Sequence, residues 1–230
     1  ATSRAPDNEA WLPIHDRWER FIATYKIPSS LAFVDNPTYG NQSFDRWLAS
    51  ASAIVTTSVT EGFGLAFLEP ILLGKPLVGR DLPDITKDFR DSSIHFPGLY
   101  QRLLVPIDWI NQKALRARLH ECITDQYKVY GQPTPDDPAS RAIEAFSADG
   151  LIDFGRLEEP YQEVVIQRCL ENRSDRSRVK SLSGGVVAPA VDWLCAAMSH
   201  PLSAENPALL EKHYSLSLIH ISEPTRQASI

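Results

Sequence analysis

Two glutamates, Glu61 and Glu69, stand eight residues apart in the stretch "TTSVTEGFGLAFLEPILLGKPLVG", residues 56–79. Carboxylates accept hydrogen bonds from neutral hydroxyl groups, such as those of a sugar, but they do not bind phosphate. The glycines of "TEGFGL" let the backbone approach a ligand closely, and the N–H groups that begin the next helix favour phosphate or hydroxyl oxygens. The stretch therefore predicts an anion cradle beside carboxylates that hold hydroxyl groups.

The surrounding sequence alternates between strand and helix patterns. Short apolar runs at residues 30–36, 53–58 and 75–79 are typical of buried strands. Apolar spacing predicts helices over residues 11–25, from Phe44, over 64–73 and over 111–130, and residues 93–96 and 102–106 are further strand candidates. This alternation predicts an α/β fold, a Rossmann-like parallel sheet with helices on both faces.

Within the helix predicted over residues 64–73, we expect Leu65, Leu68 and Leu72 to share a buried stripe, with Glu69 beside it. Gly74 takes the position that closes this helix. A carboxylate on a partly buried face needs a partner, which is a reason to expect a ligand at Glu69.

The second half of the chain has a different composition. Residues 131–157 are rich in Pro, Asp and Ser, and we interpret them as a linker or loop. Residues 158–215 are predicted to be a helical extension, with one helix beginning near Pro160 and an amphipathic helix over 186–198. Residues 1–130 form the predicted ligand-binding domain.

Residues 57–79 resemble the signature of retaining glycosyltransferases of the GT-B fold, especially family 4, the glycosyl transferases group 1 domain. The family pattern is roughly S-x-x-E-G-F-G-L-x-x-L-E-x-x-x-x-G-x-P-V-V. The matching residues, including the E-x7-E spacing, are Ser58, Glu61, Gly62, Phe63, Gly64, Leu65, Leu68, Glu69, Gly74, Pro76 and Val78. The resemblance implies that residues 1–130 are an incomplete C-terminal domain of a GT-B fold, which binds the nucleotide-sugar donor.

The resemblance also implies a role for each matched site residue. Glu61, our candidate catalytic residue, would contact hydroxyl groups of the donor sugar, and Glu69 would hold the ribose hydroxyl groups. The remaining donor-binding candidates are Ser58, Gly62, Phe63, Gly64 and Leu65. The backbone from Gly62 to Leu65 would meet the sugar and the diphosphate, while the Phe63 side chain serves either ligand or packing. Transfer with retention of configuration would need no cofactor, metal or protein nucleophile.

The chain departs from the family pattern at several points. The basic pair that clamps the diphosphate and the acceptor-binding domain would precede Ala1, so we expect a fragment that binds donor weakly if at all and transfers no sugar alone. Pro70 stands where alanine is common, and "RDLPDITKDF" lacks the usual Gly-Gly. Within that segment Asp81 and Asp84 are further donor candidates, although Asp84 suits a helix N-cap better.

Composition limits the other functions. The formal net charge is −6, and no run of five like charges occurs, so we predict no nucleic-acid partner. Cys122, Cys169 and Cys195 lack metal-site spacing, which favours reduced thiols and a cytoplasmic location. No apolar run is long enough to span a bilayer, although the missing domain would allow peripheral membrane contact.

Some alternatives stay open on the sequence alone. The acceptor, whether a sugar, a lipid or another small molecule, is unknown. The chain could also be a non-catalytic sugar-nucleotide binding module, or another GT-B enzyme such as a sugar-nucleotide epimerase or a glycan phosphorylase. Residues 216–230 contain "LSLIHISEPTR", which resembles a translated sequencing adapter, and we expect them to be a non-native tail.

Overall fold

The structure is a computed structural model that describes residues 8–32, 44–56, 58, 65–199, 203 and 205–214. Its α-helices are α1 (Leu12–Tyr25), α2 (Phe44–Ser50), α3 (Leu65–Leu72), α4 (Pro83–Asp91), α5 (Gln112–Val129), α6 (Pro138–Phe146), α7 (Glu159–Glu171), α8 (Ala190–Ser199) and α9 (Asn206–Tyr214). Its strands are β1 (Ile54–Thr56), β2 (Leu77–Arg80), β3 (Leu99–Tyr100), β4 (Arg102–Pro106), β5 (Ser147–Ala148), β6 (Leu151–Asp153), β7 (Lys180–Ser183) and β8 (Val186–Pro189).

The chain divides into two compact units. Unit 1 comprises Ala1–Arg46 and Arg102–Val191, and unit 2 comprises Trp47–Gln101 and Asp192–Ile230.

Unit 2 contains a parallel sheet in the order β1-β2-β3. Helix α3 connects β1 to β2, and α4 connects β2 to β3, so each crossover is a strand-helix-strand unit. The backbones of neighbouring strands approach closely here. A Cβ atom added to Gly79 would lie only 2.4 Å from the Thr56 carbonyl oxygen. Gly98 is similarly constrained, with the Leu77 carbonyl oxygen 2.1 Å from such an atom. Only glycine allows this spacing.

The core of unit 2 lies between this sheet and its helices. Phe67 and Ile71 of α3 and Phe89 of α4 are almost completely buried. Leu210 of α9 joins the same cluster, and the Asn206 side-chain amide donates to the His95 carbonyl oxygen at 3.2 Å. The apolar face of each helix therefore fixes its position against the strands.

Unit 1 contains an antiparallel sheet in the order β5-β6-β4-β7-β8. Two hairpins form its sides, each closed by a two-residue loop with positive φ at both positions. In the first loop φ is +53° at Asp149 and +74° at Gly150, and in the second it is +56° at Gly184 and +79° at Gly185. These values are those of type I′ turns, whose twist matches that of antiparallel strands.

Helices cover the antiparallel sheet with a second apolar cluster. Val105, Trp109, Ile152 and Val165 are buried in it, and α5, α6 and α7 surround them. Helix α5 begins at an N-cap, Asn111, whose side chain accepts a hydrogen bond from the backbone N–H of Ala114 at 3.1 Å.

The structure confirms a mixed α/β chain with a parallel sheet, but that sheet has three strands among the described residues. The helices predicted over residues 11–25, from Phe44, over 64–73 and over 111–130 are present as α1, α2, α3 and α5. Residues 102–106 do form a strand, β4, but it lies in the antiparallel sheet. Residues 93–96 form no strand, and most of the strand predicted at 30–36 lies outside the described residues.

The second half differs most from our expectation. The predicted linker, residues 131–157, contains α6 and the β5-β6 hairpin. The predicted helical extension contains the β7-β8 hairpin, and the helix expected over residues 186–198 is a strand up to Pro189, with α8 beginning at Ala190. The Asp-Gly and Gly-Gly pairs are strong hairpin signals, so local turn chemistry explains both corrections. The predicted tail, residues 216–230, lies outside the described residues.

Among the helices of the described residues, none combines the length and the apolar composition that a membrane-spanning helix needs.

Candidate functional site

The candidate site lies at the carboxyl edge of the parallel sheet in unit 2. Because β1, β2 and β3 are parallel, their carboxyl ends, at Thr56, Arg80 and Tyr100, lie along one edge. Open α/β sheets bind ligands at this edge. Thr56 is buried, and its Oγ1 accepts the backbone N–H of Ser58 at 3.4 Å, where the chain leaves β1.

Five of the seven predicted site residues have little or no described geometry. Glu61, Gly62, Phe63 and Gly64 lie outside the described residues. Leu65 is the first residue of α3, but its side chain is also outside the described part. Ser58 and Glu69 are therefore the predicted site residues whose side chains have a described environment, at the exit of β1 and on α3 respectively.

Glu69 lies on the solvent-facing side of α3, so the prediction that it stands on a partly buried face, and therefore needs a partner, is wrong. Phe67, Leu68 and Ile71 are buried at 0%, 6% and 1% exposure, whereas Glu69 is exposed. Leu72 is 67% exposed, so its predicted place in the buried stripe is wrong, and Phe67 and Ile71 take that role with Leu68. Among the described residues, no side chain forms a hydrogen bond or ion pair with the Glu69 carboxylate. The carboxylate is thus available to hydroxyl groups of a ligand.

Pro70 lies inside α3, directly after Glu69, and it is buried. A proline provides no N–H group, so the helix loses the bond that this position would donate to the residue four places earlier. Helix α3 continues for two further residues, to Leu72. Gly74 follows with φ of +61°, in agreement with the predicted helix end.

A hydrogen-bonded network occupies the carboxyl end of β2. The Thr86 hydroxyl group donates to the Asp81 carboxylate, and Arg90 Nη1 donates to Thr86 Oγ1 at 2.8 Å. Arg90 Nη1 also lies 3.4 Å from each carboxylate oxygen of Asp81. The backbone N–H of Asp81 donates to the Tyr100 carbonyl oxygen at 2.7 Å, which ties the network to the end of β3. Asp81 is thereby held in a fixed position beside the edge.

The predicted N-cap of α4 is wrong. The cap position is Leu82, which forms no side-chain cap bond, and Asp84 lies in the first turn. Pro83 begins the helix, where its missing N–H costs nothing, so the helix starts two residues earlier than an Asp84 cap would allow. Asp84 still interacts favourably with the helix dipole at this position.

Two residues at this edge, Thr86 and Arg90, are absent from the site predicted from the sequence. Their spacing of four residues places them on one face of α4, which was a usable signal. What the pattern did not show is that Asp81, outside the helix, is their shared partner.

A separate group of metal-ligand types lies on α1 in unit 1. His15, Asp16 and Glu19 offer ligand atoms that all lie within 4.8 Å of one another. The His15 Nδ1 atom is 3.7 Å from Asp16 Oδ1, and the two carboxylates are exposed. Such helical groups are common on protein surfaces, so the cluster alone does not identify a metal centre.

Comparison of the chain with family models, with curated proteins and with solved structures finds no match.

Proposed function

We propose that the chain is the donor-binding part of a retaining glycosyltransferase of the GT-B type. Its donor would be a nucleotide-diphosphate sugar and its acceptor a sugar, a lipid or another small molecule. In this proposal the parallel sheet of unit 2 belongs to a Rossmann-like, donor-binding domain. The three free thiols, Cys122, Cys169 and Cys195, support a cytoplasmic location.

The observation that carries this proposal is where the segment that contains Glu61 leaves β1 and enters α3, together with the exposure of Glu69. Ser58 stands two residues beyond β1 at the carboxyl edge, and Leu65 begins α3. Glu61 falls between them in the sequence, and Glu69 is an exposed carboxylate on α3 without a described partner. This arrangement supports a ligand site, because burying the apolar side of α3 leaves its one carboxylate on the side that a ligand can reach.

Each residue has a role in the proposed reaction. Glu61 accepts hydrogen bonds from hydroxyl groups of the donor sugar, and Glu69 accepts them from the ribose. The backbone N–H groups of residues 62–65 meet the sugar and the diphosphate, aided by the dipole of α3. The Asp81, Thr86 and Arg90 network fixes the connection between β2 and α4 at the same edge of the sheet, so we assign these three as positioning residues.

The reaction exchanges one bond at the anomeric carbon for another. The bond from that carbon to the diphosphate oxygen breaks, and a bond to the acceptor oxygen forms on the same face. The acceptor proton passes to the departing diphosphate. Catalysis on this scheme consists of positioning and of stabilising the negative charge that develops on the diphosphate.

Two measurements test the function. Titration of this chain with UDP-glucose, GDP-mannose and ADP-glucose in a calorimeter, at millimolar ligand, should detect weak binding of at least one donor. The full-length gene product should then transfer that sugar with its anomeric configuration kept, as read by proton NMR of the product. Binding without transfer by the full-length product would indicate a non-catalytic module, and inversion would rule out the retaining scheme.

A further inference from the structure

The antiparallel sheet of unit 1 has a cleft at one of its ends. Strand β4 ends at Pro106, opposite Leu151 at the start of β6, and Leu104 is opposite Lys180 at the start of β7. The segments next to these strand ends therefore meet at the same end of the sheet. They line an open cleft of about 580 Å³, a volume within the range of small-molecule sites.

Hydrogen bonds hold the walls of this cleft in position. One wall is the type I′ turn of Asp149 and Gly150, and the Gly150 carbonyl oxygen accepts the backbone N–H of Ile107 at 2.9 Å. On another wall, Lys180 Nζ donates to the Ser177 carbonyl oxygen at 2.8 Å. An ammonium group has three N–H donors, so this bond fixes the side chain and leaves donors for a ligand.

The cleft carries charges of both signs. Arg178 and Lys180 provide two cations, and Asp108 and Asp149 provide two carboxylates. Arg178 Nη2 lies 3.4 Å from both oxygens of Asp108, with the two side chains 45% and 66% exposed. Charge-assisted bonds are normally about 2.7–2.9 Å long, so this pair is loose and Arg178 can donate to a stronger acceptor.

A buried aromatic ring positions the Arg178 guanidinium. The central guanidinium carbon of Arg178 lies 5.3 Å from the centre of the Trp109 ring, and the same atom of Arg168 lies 5.1 Å from that centre. Arg168 is already paired with Asp175 at 2.7 Å. Of the two arginines on this indole, Arg178 is therefore the one that is loosely compensated and lines the cleft.

We propose that this cleft binds a small phosphorylated sugar. The phosphate would lie on Arg178 and Lys180, and the sugar hydroxyl groups would donate to Asp108 and Asp149. A bare phosphate leaves the carboxylates unused and is repelled by them, while a neutral sugar leaves Arg178 with only its loose Asp108 pair and Lys180 with only the Ser177 carbonyl oxygen. A ligand with both groups satisfies all four side chains.

The cleft contains none of the residues that the proposed donor site uses. All its lining residues belong to unit 1, whereas Ser58 and Glu69 belong to unit 2. Failure of one proposal would therefore leave the other intact, and the substitutions that test them do not overlap.

Calorimetric titration of the whole chain with glucose 6-phosphate, inorganic phosphate and glucose tests this site. We expect glucose 6-phosphate to bind about ten-fold more tightly than inorganic phosphate, since the carboxylates add hydrogen bonds to its hydroxyl groups. Equal affinity for the two would reduce the cleft to a plain anion site and overturn the proposal, as would the absence of binding at millimolar concentration.

Matched variants locate the binding. Arg178→Gln should weaken glucose 6-phosphate by about ten-fold or more, and Arg173→Gln, an exposed arginine outside the cleft, should leave it unchanged. Asp149→Asn keeps a residue that tolerates positive φ. This variant should weaken the binding of glucose 6-phosphate but not the binding of inorganic phosphate. Circular dichroism checks folding, and if Arg178→Gln does not fold, Lys180→Gln carries the same expectation. An equal loss of glucose 6-phosphate affinity in Arg173→Gln and in the variant of the cleft cation would contradict the proposal.

Discussion

The Arg90 guanidinium lies 3.4 Å from both carboxylate oxygens of Asp81, and the Thr86 hydroxyl group bonds to both side chains. Thr86 has no exposed surface, whereas Arg90 is 44% exposed. A buried hydroxyl thus links a charged pair at the carboxyl end of β2. An exposed ion pair contributes little to the free energy of unfolding by itself. Removal of the buried hydroxyl should lower that free energy more.

Replacement of Thr86 by valine tests this relationship. The shape is kept but the hydroxyl is lost, which leaves the partly buried Asp81 carboxylate without its short donor. We expect the free energy of unfolding to fall by about 1–3 kcal/mol. The control is Thr24→Val, because that hydroxyl bonds to the Arg20 carbonyl oxygen on an exposed helix face, where the change should stay within about 0.5 kcal/mol. Similar effects at both sites would show that the network is not stabilising.

Gly79→Ala should destabilise the parallel sheet. The added methyl group would lie 2.4 Å from the Thr56 carbonyl oxygen, which is a backbone atom and can move only with β1. We expect the free energy of unfolding, measured in urea, to fall by about 1–3 kcal/mol. In Gly131→Ala the added atom meets nothing within 4 Å and only the φ of +60° is strained, so the loss should be about 1 kcal/mol. A larger loss at Gly131 than at Gly79 would contradict the close strand approach.

The acid stability of unit 1 should depend on Asp137, the N-cap of α6. Hydrogen bonds from the Ser140 hydroxyl and backbone N–H lower the pKa of this carboxyl. With a lowered folded-state pKa, the stabilisation is present above about pH 4 and is lost as the pH falls through the folded value. Wild-type chain should therefore lose more stability between pH 6 and pH 2.5 than Asp137→Asn, which still caps the helix.

Ser140→Ala provides the matching control for the acid effect, since the hydroxyl is the largest cause of the shift. Thermal unfolding of this variant should show a smaller pH dependence than that of the wild type. Identical pH profiles for the wild type, Asp137→Asn and Ser140→Ala would show that this cap does not contribute to acid stability.

The three cysteines should differ in their rates of alkylation. Burial is the largest cause that raises the pKa of the Cys169 and Cys122 thiols. At pH 8 both therefore hold less thiolate than a thiol with the ordinary pKa. Cys195 is exposed. Mass spectrometry after iodoacetamide treatment should find Cys195 modified first, and the three rates should converge in urea. Equally fast modification of Cys169 and Cys195 in the folded chain would contradict the partial burial of Cys169.

Much of unit 2 could be predicted from the sequence because its signals are local. The apolar spacing of residues 64–73 and the positive-φ glycine Gly74 define α3 and its end. The parallel pairing of β1 and β2 follows from a strand, a helix and a strand in succession. Which side of α3 is buried was harder, since Leu72 and Ile71 are equally apolar and only the neighbouring elements decide between them.

The antiparallel sheet was missed for a different reason. The polar composition of residues 131–157 suggested a linker, but Asp149 and Gly150 form a turn between two very short strands. Strands of two or three residues carry little periodicity, so the turn was the stronger signal. That β4 pairs with β6 and β7 is a long-range relationship, which no local pattern contains.

In the proposed function, the carboxylate of Glu69 holds the ribose of a nucleotide-sugar. Saturation-transfer NMR shows which ligand protons lie close to protein protons, and comparison with Glu69→Ala then assigns the ribose contact to this side chain. With the donor that binds best among UDP-glucose, GDP-mannose and ADP-glucose, we predict strong saturation of the ribose protons and at least ten-fold weaker binding by Glu69→Ala. Glu211→Ala, an exposed glutamate on α9 of the same unit, should bind as the wild type does. Unchanged ribose saturation and affinity in Glu69→Ala would contradict the claim.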